Sequence, residues 1–476
     1  MKATSRAFKS NARRALGDPQ LQRAMTNLRS GFAARRAVAV SQLPEWEALR
    51  EAAVAIKRHT LAHLDFYLEA FERRVVERGG AVHWCRDAAE ANATVLAICR
   101  RLGARTVTKG KSMIGEEMGL NDYLEANGVA PVETDLGEYI IQIRHEPPSH
   151  IIAPAVHLVK EQIAQSFRET HRDLDPARQL KDARQMCDEA RAVLRPRFLA
   201  ADVGITGANF LVAETGSSII VTNEGNGDLT QTLPKAHVVL ASLEKVVPTL
   251  EDATTILRLL ARSATGQEFS TYTTVSTGPR RPDDADGPGE YHVVLLDNGR
   301  SALLGGEFED MLRCIRCAAC LNHCPVYQAI GGQSYGWVYP GPMGAVLTPS
   351  LIGIEEAGHL PNASTFCGRC EEVCPMKIPL PKMMRHWRER EFQRHLPPRP
   401  YRLGLAVWAF FARRPALYRP AADLAARLLG ALGRARGRFR ALPLAAGWTR
   451  TRDLPAPEGR SFMSLWAARR AARPAP

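Results

Sequence analysis

The chain lacks any long hydrophobic run and any secretory signal. Its longest apolar stretch, LGLAVWAFFA at 403–412, is about half of what a membrane-spanning helix needs. The basic start, MKATSRAFKSNARRAL, has no apolar segment behind it that could act as a signal peptide. Both absences argue against a membrane-spanning or secreted protein, and they predict a cytoplasmic location. The 476 residues suffice for roughly two to four domains with ample cores.

Residues 401–476 contain no lysine and only three acidic residues, against 15 arginines. This segment therefore carries +12 of the net charge of +13, and the first 400 residues are close to neutral. Such a distribution argues against a nucleic-acid surface along the whole chain. The basic segment suits peripheral contact with an anionic membrane, nucleic acid, or docking onto the protein's own body or an acidic partner. Docking is favoured and nucleic acid is not expected, because aromatic residues are not regularly interleaved with the arginines.

Cysteine is scarce in the first 300 residues. Cys85, Cys99 and Cys187 are isolated there, and they are expected to be buried apolar residues. The other seven cysteines lie within about sixty residues of one another: Cys314, Cys317, Cys320, Cys324, Cys367, Cys370 and Cys374. In a long chain without a secretory signal, such clustering indicates metal or redox chemistry rather than disulfide bonds.

The first cysteine run is a complete ferredoxin-type motif, Cys-x2-Cys-x2-Cys-x3-Cys-Pro, from Cys314 to Pro325. In such runs three thiolates bind one iron–sulfur cluster and the fourth serves the other cluster. Zinc fits poorly, because zinc ribbons use two pairs of cysteines around one tetrahedral ion. The exchange rule therefore gives cluster 1 Cys314, Cys317, Cys320 and Cys374, and it gives cluster 2 Cys324, Cys367 and Cys370.

The second run lacks the first cysteine of the motif, and Ser364 stands in its place. One iron of cluster 2 is left without an obvious cysteine ligand. The cluster could be a [3Fe-4S] form, or its fourth iron could bind serine, water or another side chain, or a partner could supply the ligand. His323 is a conceivable ligand, but it is more readily interpreted as a tuning or surface residue.

The remaining sequence divides into further segments. Residues 1–78 show helical periodicity, and residues 79–300 alternate strands with helices, which predicts an α/β domain with a largely parallel sheet. The predicted strands are GAVHWC, ARTVT, VAPVET, YIIQI (139–143), NFLVAET, SSIIVTN, AHVVLAS and EYHVVLL. The cysteine module is assigned to 301–396, and the arginine-rich region after the Pro397–Pro400 breakers to 397–476.

Six long stretches carry a family resemblance. They are CIRCAACLNHCPVYQAIGGQSYGWVYPGPMGAVLTP, FCGRCEEVCPMKIPLP, KSMIGEEMGLNDYLEANGVAPVETDLGEYIIQI, PSHIIAPAVH, GITGANFLVAETGSSIIVTNEGN and GWTRTRDLPAPEGRSF. They resemble the iron–sulfur protein family of bacterial lactate utilisation, the lactate utilisation protein B family. The resemblance covers nearly the whole chain, and it implies that three cysteines in the second run are the family's own pattern.

The resemblance also implies a fold and a function. The expected fold is N-terminal helices and a sugar-isomerase/CoA-transferase-like α/β domain, then a helical ferredoxin-like module and a basic C-terminal tail. The expected cofactors are two [4Fe-4S] clusters, the second with three cysteine ligands. The expected function is electron transfer in a complex that oxidises L-lactate to pyruvate. Its expected partners are a cysteine-rich heterodisulfide-reductase-like protein and a second protein with this α/β domain, and the electron acceptor is unknown.

Other motifs are weak. Thr108–Ser112 resembles a phosphate loop but lacks the complete motif. Glu214, in a turn between two predicted strands, is a candidate catalytic base. The histidines at 145, 150 and 157 are interpreted as surface residues in preference to a metal site. Four cations beside the cysteines are tuning candidates or plain loop charges: Arg313, Arg316, Arg369 and Lys377. Two alternative functions stay open. One is an oxidoreductase whose own α/β domain binds an organic acid or CoA-like ligand, and the other is a zinc-stabilised nucleic-acid scaffold.

Overall fold

The structure is a computed structural model that describes residues 3–443, 445–449 and 451–472. The chain divides into two compact units, Met1–Glu391 and Phe392–Pro476. Helices of the first unit are α1 Phe8–Leu16, α2 Pro19–Ser41, α3 Trp46–Ala62, α4 Leu64–Glu77, α5 Ala88–Arg101, α6 Met113–Met118, α7 Leu120–Ala126, α8 Leu136–Ile143, α9 Lys160–Thr170, α10 Ala183–Ala200, α11 Asn226–Thr232, α12 Leu250–Ala264, α13 Ala319–Asn322, α14 Pro325–Ile330, α15 Gly341–Ile352, α16 Ile354–Ala357, α17 Arg369–Glu372 and α18 Leu380–Gln393, whose last turn enters the second unit.

Ten strands of the first unit form two sheets. They are β1 Ala81–Cys85, β2 Thr106–Gly110, β3 Ala130–Glu133, β4 Val203–Gly207, β5 Phe210–Val212, β6 Ser217–Thr222, β7 Ala236–Ser242, β8 Val246–Val247, β9 Tyr272–Ser276 and β10 Glu290–Leu296. The larger sheet is entirely parallel, in the order β1-β10-β7-β4-β2-β3. The smaller sheet has the order β8-β5-β6-β9. The predicted α/β domain with a parallel sheet is thereby confirmed.

The order of the large sheet reverses at β2. The chain runs from β2 outward to β3 and then returns to β4 on the other side of β2. The connections after β2 and β4 therefore leave the sheet in opposite directions and open a crevice at the carboxyl ends of these strands. Gly204 of β4 allows α11 to pack closely, because a Cβ there would lie 1.8 Å from the carbonyl oxygen of Thr230.

The prediction of a strand at YIIQI was wrong, because these residues lie in α8. The side chain of Asp135 accepts hydrogen bonds from the backbone N–H groups of Gly137 and Glu138, which caps the start of this helix. An apolar run of this length fits a buried helix as well as a strand, so its periodicity could not distinguish them. Asp135, a residue type that favours the start of a helix, was the better indicator of helical structure here.

One continuous apolar core joins the N-terminal helices to the cysteine region. Met25 of α2, Ala53 of α3 and Leu260 of α12 belong to the same buried cluster as Cys317 and Cys320. The N-terminal helices therefore share one apolar core with the cysteine region, although more than 250 residues of sequence separate them.

The second unit contains α19 Arg399–Ala412, α20 Pro415–Gly433, β11 Arg438–Phe439, α21 Ala446–Thr449, β12 Leu454–Pro455 and α22 Phe462–Ala471. Among the described residues of these helices, only Gly433 is buried. Large apolar side chains stay exposed, including Trp408 at 62% and Phe462 at 75%. Within the described part of the chain, no helix combines the length and the apolar character needed to cross a membrane.

Candidate cofactor site

The two cysteine runs repeat one local structure. The residues on either side of Cys317, Arg316 and Ala318, have φ angles of +58° and +61°. Those around Cys367, Phe366 and Gly368, have φ angles of +54° and +80°. In each run a one-turn helix follows, α13 or α17, and carries the next cysteine. A left-handed backbone costs a non-glycine residue about 1–2 kcal/mol, so this repeated winding is imposed by its surroundings.

Each run contributes cysteines to a cavity shared with the other run. Cys314, Cys317 and Cys320 line one cavity together with Cys374 of the second run. Cys367 and Cys370 line another together with Cys324 of the first run. The two cavities are similar in size, about 370 and 340 Å³ when the space open to solvent is counted. The structure therefore brings together the two crossed sets of cysteines that the exchange rule assigned.

The first cavity is the more buried one. Cys317, Cys320 and Cys374 are buried and Cys314 is half-buried, whereas Cys367 at the second cavity is exposed. Burial raises the pKa of Cys374 to about 11 and, at the second cavity, that of Cys370 to about 12. Such thiols stay protonated at neutral pH unless a metal takes the place of the proton.

Backbone N–H groups point at several of these sulfurs. The N–H of Ile378 lies 3.5 Å from the Sγ of Cys374. The N–H of Arg369 lowers the pKa of Cys367 by hydrogen bonding to its sulfur. Thiolate sets with N–H donors to sulfur in largely apolar cavities suit iron–sulfur clusters, whose potentials depend on such hydrogen bonds. The donor set therefore fits a cluster in each cavity.

Two hydroxyl groups line the second cavity, which has three cysteines. Ser364 and Thr365 both belong to its wall, and the Oγ of Ser364 accepts a hydrogen bond from the N–H of Phe366 at 3.1 Å. His323 lines neither cavity, and its Nδ1 lies 2.9 Å from the carbonyl oxygen of Ala319. Thr365 carried no signal in the sequence, because nothing in the motif marks that position.

The cations predicted beside the cysteines lie in different environments. Arg313 is buried and pairs with Asp310 at 2.8 Å, whereas Arg369 pairs with Glu372 on the surface. Lys377, predicted to lie beside the second set, bonds with Glu47 and Glu51 of α3 instead.

Two arginines from the N-terminal helices contact the second cysteine run, which the sequence did not predict. The Nη2 of Arg36 donates to the carbonyl oxygen of Val373 at 2.9 Å, and the Nη2 of Arg50 donates to that of Cys374 at 2.7 Å. Both contacts join residues more than 320 positions apart, so no local pattern could have revealed them.

A third cavity opens at the carboxyl ends of β2 and β4. Its wall includes Lys111 after β2 and Asn209 after β4, and it spans about 1130 Å³ counted in the same way. Lys245 and Arg316 also line it. Ile151 and Arg316 belong to the walls of both this cavity and the first cysteine cavity. The two cavities are therefore separated by single side chains.

A buried ionic network fixes the boundary between the α/β domain and the cysteine module. Glu117 of α6 accepts hydrogen bonds from Arg300 at 2.6 and 2.9 Å, from Asn298 at 2.7 Å and from the hydroxyl of Tyr339 at 2.6 Å. Tyr339 in turn lies under the guanidinium of Arg316, 4.8 Å from the Cζ to the ring centroid. Through Tyr339 and Arg316, this network supports the wall that the two cavities share.

The weaker motifs have structural roles. Lys109 is fully buried and pairs with Glu116 and Glu133. The side chain of Ser112 caps the start of α6. The segment that resembles a phosphate loop is therefore the end of a strand and the start of a helix. Glu214 lies outside the third cavity, where its carboxylate accepts a hydrogen bond from the N–H of Leu250.

The three histidines and three isolated cysteines also have separate places. His150 is buried against Asn322, and His157 pairs with Glu146. The expectation of surface histidines was therefore wrong for His150 and His157, which are both buried, whereas His145 is exposed. Cys85 and Cys99 are buried as expected, but Cys187 is exposed on α10.

Comparison with known proteins identifies three matching families. Residues 68–296 match the LUD domain, residues 310–378 match the 4Fe-4S dicluster domain, and residues 382–471 match the C-terminal region of lactate utilisation protein B. The chain is 41% identical to lactate utilization protein B of Bacillus licheniformis, covering 99% of this chain and 98% of that protein. It is 42% identical to the Shouchella clausii protein of the same name, covering 98% of each. The match to a solved structure of a DUF162 family protein from Deinococcus radiodurans covers 49% of this chain and 98% of that protein, with 18% identity and a TM-score of 0.25.

Proposed function

The chain belongs to the lactate utilization protein B family, and from this premise we propose that it is the iron–sulfur electron-transfer subunit of a complex that oxidises L-lactate to pyruvate. The observation that carries the proposal is the pair of crossed, cysteine-lined cavities. Membership of the family supports a role in lactate utilisation, and the dicluster domain supports electron transfer.

The proposed ligand sets follow the two cavities. Cys314, Cys317, Cys320 and Cys374 would hold one [4Fe-4S] cluster, and the second would be held by Cys324, Cys367 and Cys370. With three thiolates, the second cluster would be the one convertible to a [3Fe-4S] form. The hydroxyl of Ser364 is a candidate to complete its ligand set, since Ser364 lies in the wall of that cavity.

When bound, each cluster accepts one electron at a time, so two clusters together can take the pair that lactate releases on becoming pyruvate. The chain's own residues would set how readily this happens. Apolar burial around the first cavity disfavours added negative charge, whereas N–H donors to sulfur and nearby Arg313 and Arg316 favour it. The exposed Cys367 makes the second cavity the natural point of exchange with a partner.

The wider assignment follows from the family resemblance. We propose two partner subunits, a cysteine-rich heterodisulfide-reductase-like protein and a second protein with the same kind of α/β domain, and a cytoplasmic location. The α/β domain at 79–300 would have the sugar-isomerase/CoA-transferase-like fold, between a helical segment at 1–78 and the cluster module at 301–396. The region 397–476 would dock on a partner.

The decisive experiment is lactate-dependent cluster reduction under anaerobic conditions. The purified chain is mixed with L-lactate alone and then with the two partners, and the visible absorption of the clusters is followed. Bleaching only in the presence of the partners supports an electron-transfer subunit. Bleaching by lactate with the chain alone contradicts this role and assigns the oxidation to the chain itself.

The crossed ligand sets predict which cluster each cysteine variant loses. Cys374→Ala and Cys317→Ala should remove the same electron paramagnetic resonance signal, and Cys324→Ala should remove the signal that Cys367→Ala removes. Cys187→Ala, an exposed cysteine far from both runs in sequence, is the control and should leave both signals intact. Loss of one signal by both the Cys320 and Cys324 variants would contradict the crossing.

A further inference from the structure

The third cavity lies where parallel sheets bind small molecules. Ligands of α/β domains occupy the crevice outside the carboxyl ends of the strands, at the point where the strand order reverses. In this chain the reversal lies between β2 and β4, and the residues that follow both strands line the cavity. The position alone is a general property of such sheets, so the chemistry of the wall has to identify the ligand.

Three cations line the cavity, Lys111, Lys245 and Arg316, against two acidic residues, Asp135 and Glu138, and burial raises the pKa of Glu138 well above its usual range. Lys111 bonds with Asp135, and the Nη2 of Arg316 lies 3.3 Å from a carboxylate oxygen of Glu244. Lys245 is 8% exposed, and its ammonium forms no hydrogen bond or ion pair with the described residues. A buried charge without a partner is costly, so a bound anion is the natural compensation.

Arg316 contributes a second unused donor at the same wall. Its Nη1 is buried and has no hydrogen-bond acceptor among the described residues. Lys245 and Arg316 both line this cavity, and each carries a cationic donor without an acceptor among the described residues. Such a pair suits a carboxylate, which can accept from two donors through two oxygens.

Apolar side chains complete the cavity. Ile151, Ile152 and Leu260 line it, and Asn209 adds a polar group whose Oδ1 already accepts from the N–H of Val221 at 2.9 Å. The wall thus provides cations, an apolar side and several amide and hydroxyl groups, among them the side-chain amide of Asn209. One surplus cation matches a single negative charge better than it matches two.

We propose that this cavity binds a small organic monocarboxylate, with its carboxylate held by Lys245 and Arg316 and its short carbon chain against the apolar wall. The site goes beyond the electron-transfer role and does not depend on it. Because Arg316 also lines the first cysteine cavity, the ligand lies one side chain away from Cys314 and its neighbours.

This proximity makes ligand binding and the redox state of the first cysteine site interdependent. Lys245 lines the cavity and is close enough to Cys314 to interact with it electrostatically. A bound carboxylate neutralises the cation that otherwise favours negative charge at the cysteines. The carboxylate should therefore bind the oxidised protein more tightly than the reduced protein, and each tenfold preference corresponds to a 59 mV lower midpoint potential.

The test measures binding to the full chain with its clusters loaded under anaerobic conditions. L-lactate, pyruvate, propionate and inorganic phosphate are titrated by calorimetry into the wild-type chain and three variants. Lys245→Met removes the unpaired charge at similar length, and Ala261→Leu fills the cavity from α12. Lys235→Met is the control, because Lys235 is an exposed lysine of the same domain paired with Asp202.

The wild-type chain should bind at least one of the three-carbon carboxylates more tightly than phosphate. Lys245→Met should weaken this binding about 10- to 100-fold, the value of a hydrogen bond to a charged group. Ala261→Leu should weaken it by steric blocking, whereas Lys235→Met should leave it within about twofold. Iron content and cluster spectra should be unchanged in all variants, so a failure here is separate from a failure of the electron-transfer role.

Three results would overturn the proposal. They are absence of carboxylate binding to the wild-type chain, tighter binding of phosphate than of any carboxylate, and unchanged carboxylate binding in both Lys245→Met and Ala261→Leu. If Lys245→Met lowers the iron content, Ala261→Leu decides the outcome, because Ala261 lies on α12 and not on the turn that carries Lys245.

Discussion

Replacing Glu117 by Gln should destabilise the first unit more than any surface substitution. The carboxylate of Glu117 is fully buried, and Arg300 lowers its pKa despite that burial. After the substitution, Glu244 is the carboxylate that remains to pair with Arg300, with 3.3 Å between Nε of Arg300 and Oε2 of Glu244. The substitution also replaces a charged acceptor of four hydrogen bonds by a neutral amide. Removing one partner of a buried ion pair costs about 3–5 kcal/mol.

The expected change in the melting temperature follows from the size of the unit. Unfolding entropy is about 2.1 cal/mol/K per residue, which gives roughly 0.8 kcal/mol/K for the 391 residues of the first unit. A loss of 3–5 kcal/mol should therefore lower the melting temperature by about 4–6 °C. Thermal scans of the cluster-loaded proteins at one fixed heating rate, followed by circular dichroism, measure this shift.

Two further variants make the result specific to the network. Glu125→Gln changes an exposed glutamate on the neighbouring helix α7 and should shift the melting temperature by about 0.6 °C at most, which corresponds to about 0.5 kcal/mol. Tyr339→Phe removes one of the four hydrogen bonds and should cost about 1.5–3 kcal/mol. A Glu117→Gln protein that melts within 1 °C of the wild type would refute the view that this network holds the boundary.

Three other predictions concern separate parts of the chain. Ser364→Cys should slow iron loss in air, and unchanged iron loss by colorimetric assay would place the fourth ligand elsewhere. Truncation after Pro400 should keep the iron content but weaken co-purification of the partners; iron loss or full assembly would contradict the docking role. Burial lowers the pKa of His237 to about 3 from 6.5, so stability present above pH 6.5 should fall by up to about 1.4 kcal/mol per pH unit below it. The free energy of unfolding, measured with urea between pH 7 and 5.5, should depend less steeply on pH in His237→Phe than in the wild type. Equal slopes would exclude this histidine as the cause of the pH dependence.

The grouping of the cysteines could be predicted from the sequence because it depends on their spacing, whereas their roles as cluster ligands stay a prediction. Fixed intervals between Cys314, Cys317, Cys320 and Cys324 carry the geometry of the motif, and the structure groups these residues with the second run as expected. The parallel sheet was equally accessible, because buried parallel strands read as short apolar runs between helices. β4 was missed, since its two glycines weaken the strand pattern while serving close packing.

The third cavity could not be found in the sequence, because its wall comes from distant places. Lys245 lies in a short turn after β7, Arg316 lies inside the cysteine motif, and Ile151 lies in a loop before α9. No periodicity or motif links three such positions. Sequence analysis instead selected Glu214, because a carboxylate in a strand-to-strand turn is a local feature, and this residue lies outside the cavity.

The contacts of Arg36 and Arg50 have a consequence for synthesis on the ribosome. These side chains bind carbonyl oxygens 337 and 324 positions further along the chain. At about 5–20 residues per second, the ribosome needs roughly 15–65 s to make the intervening sequence. The parts of α2 and α3 that contact Val373 and Cys374 therefore stay without these partners until the last cysteine run emerges. Iron loaded earlier would meet only part of each ligand set, so cluster insertion should follow the emergence of that run.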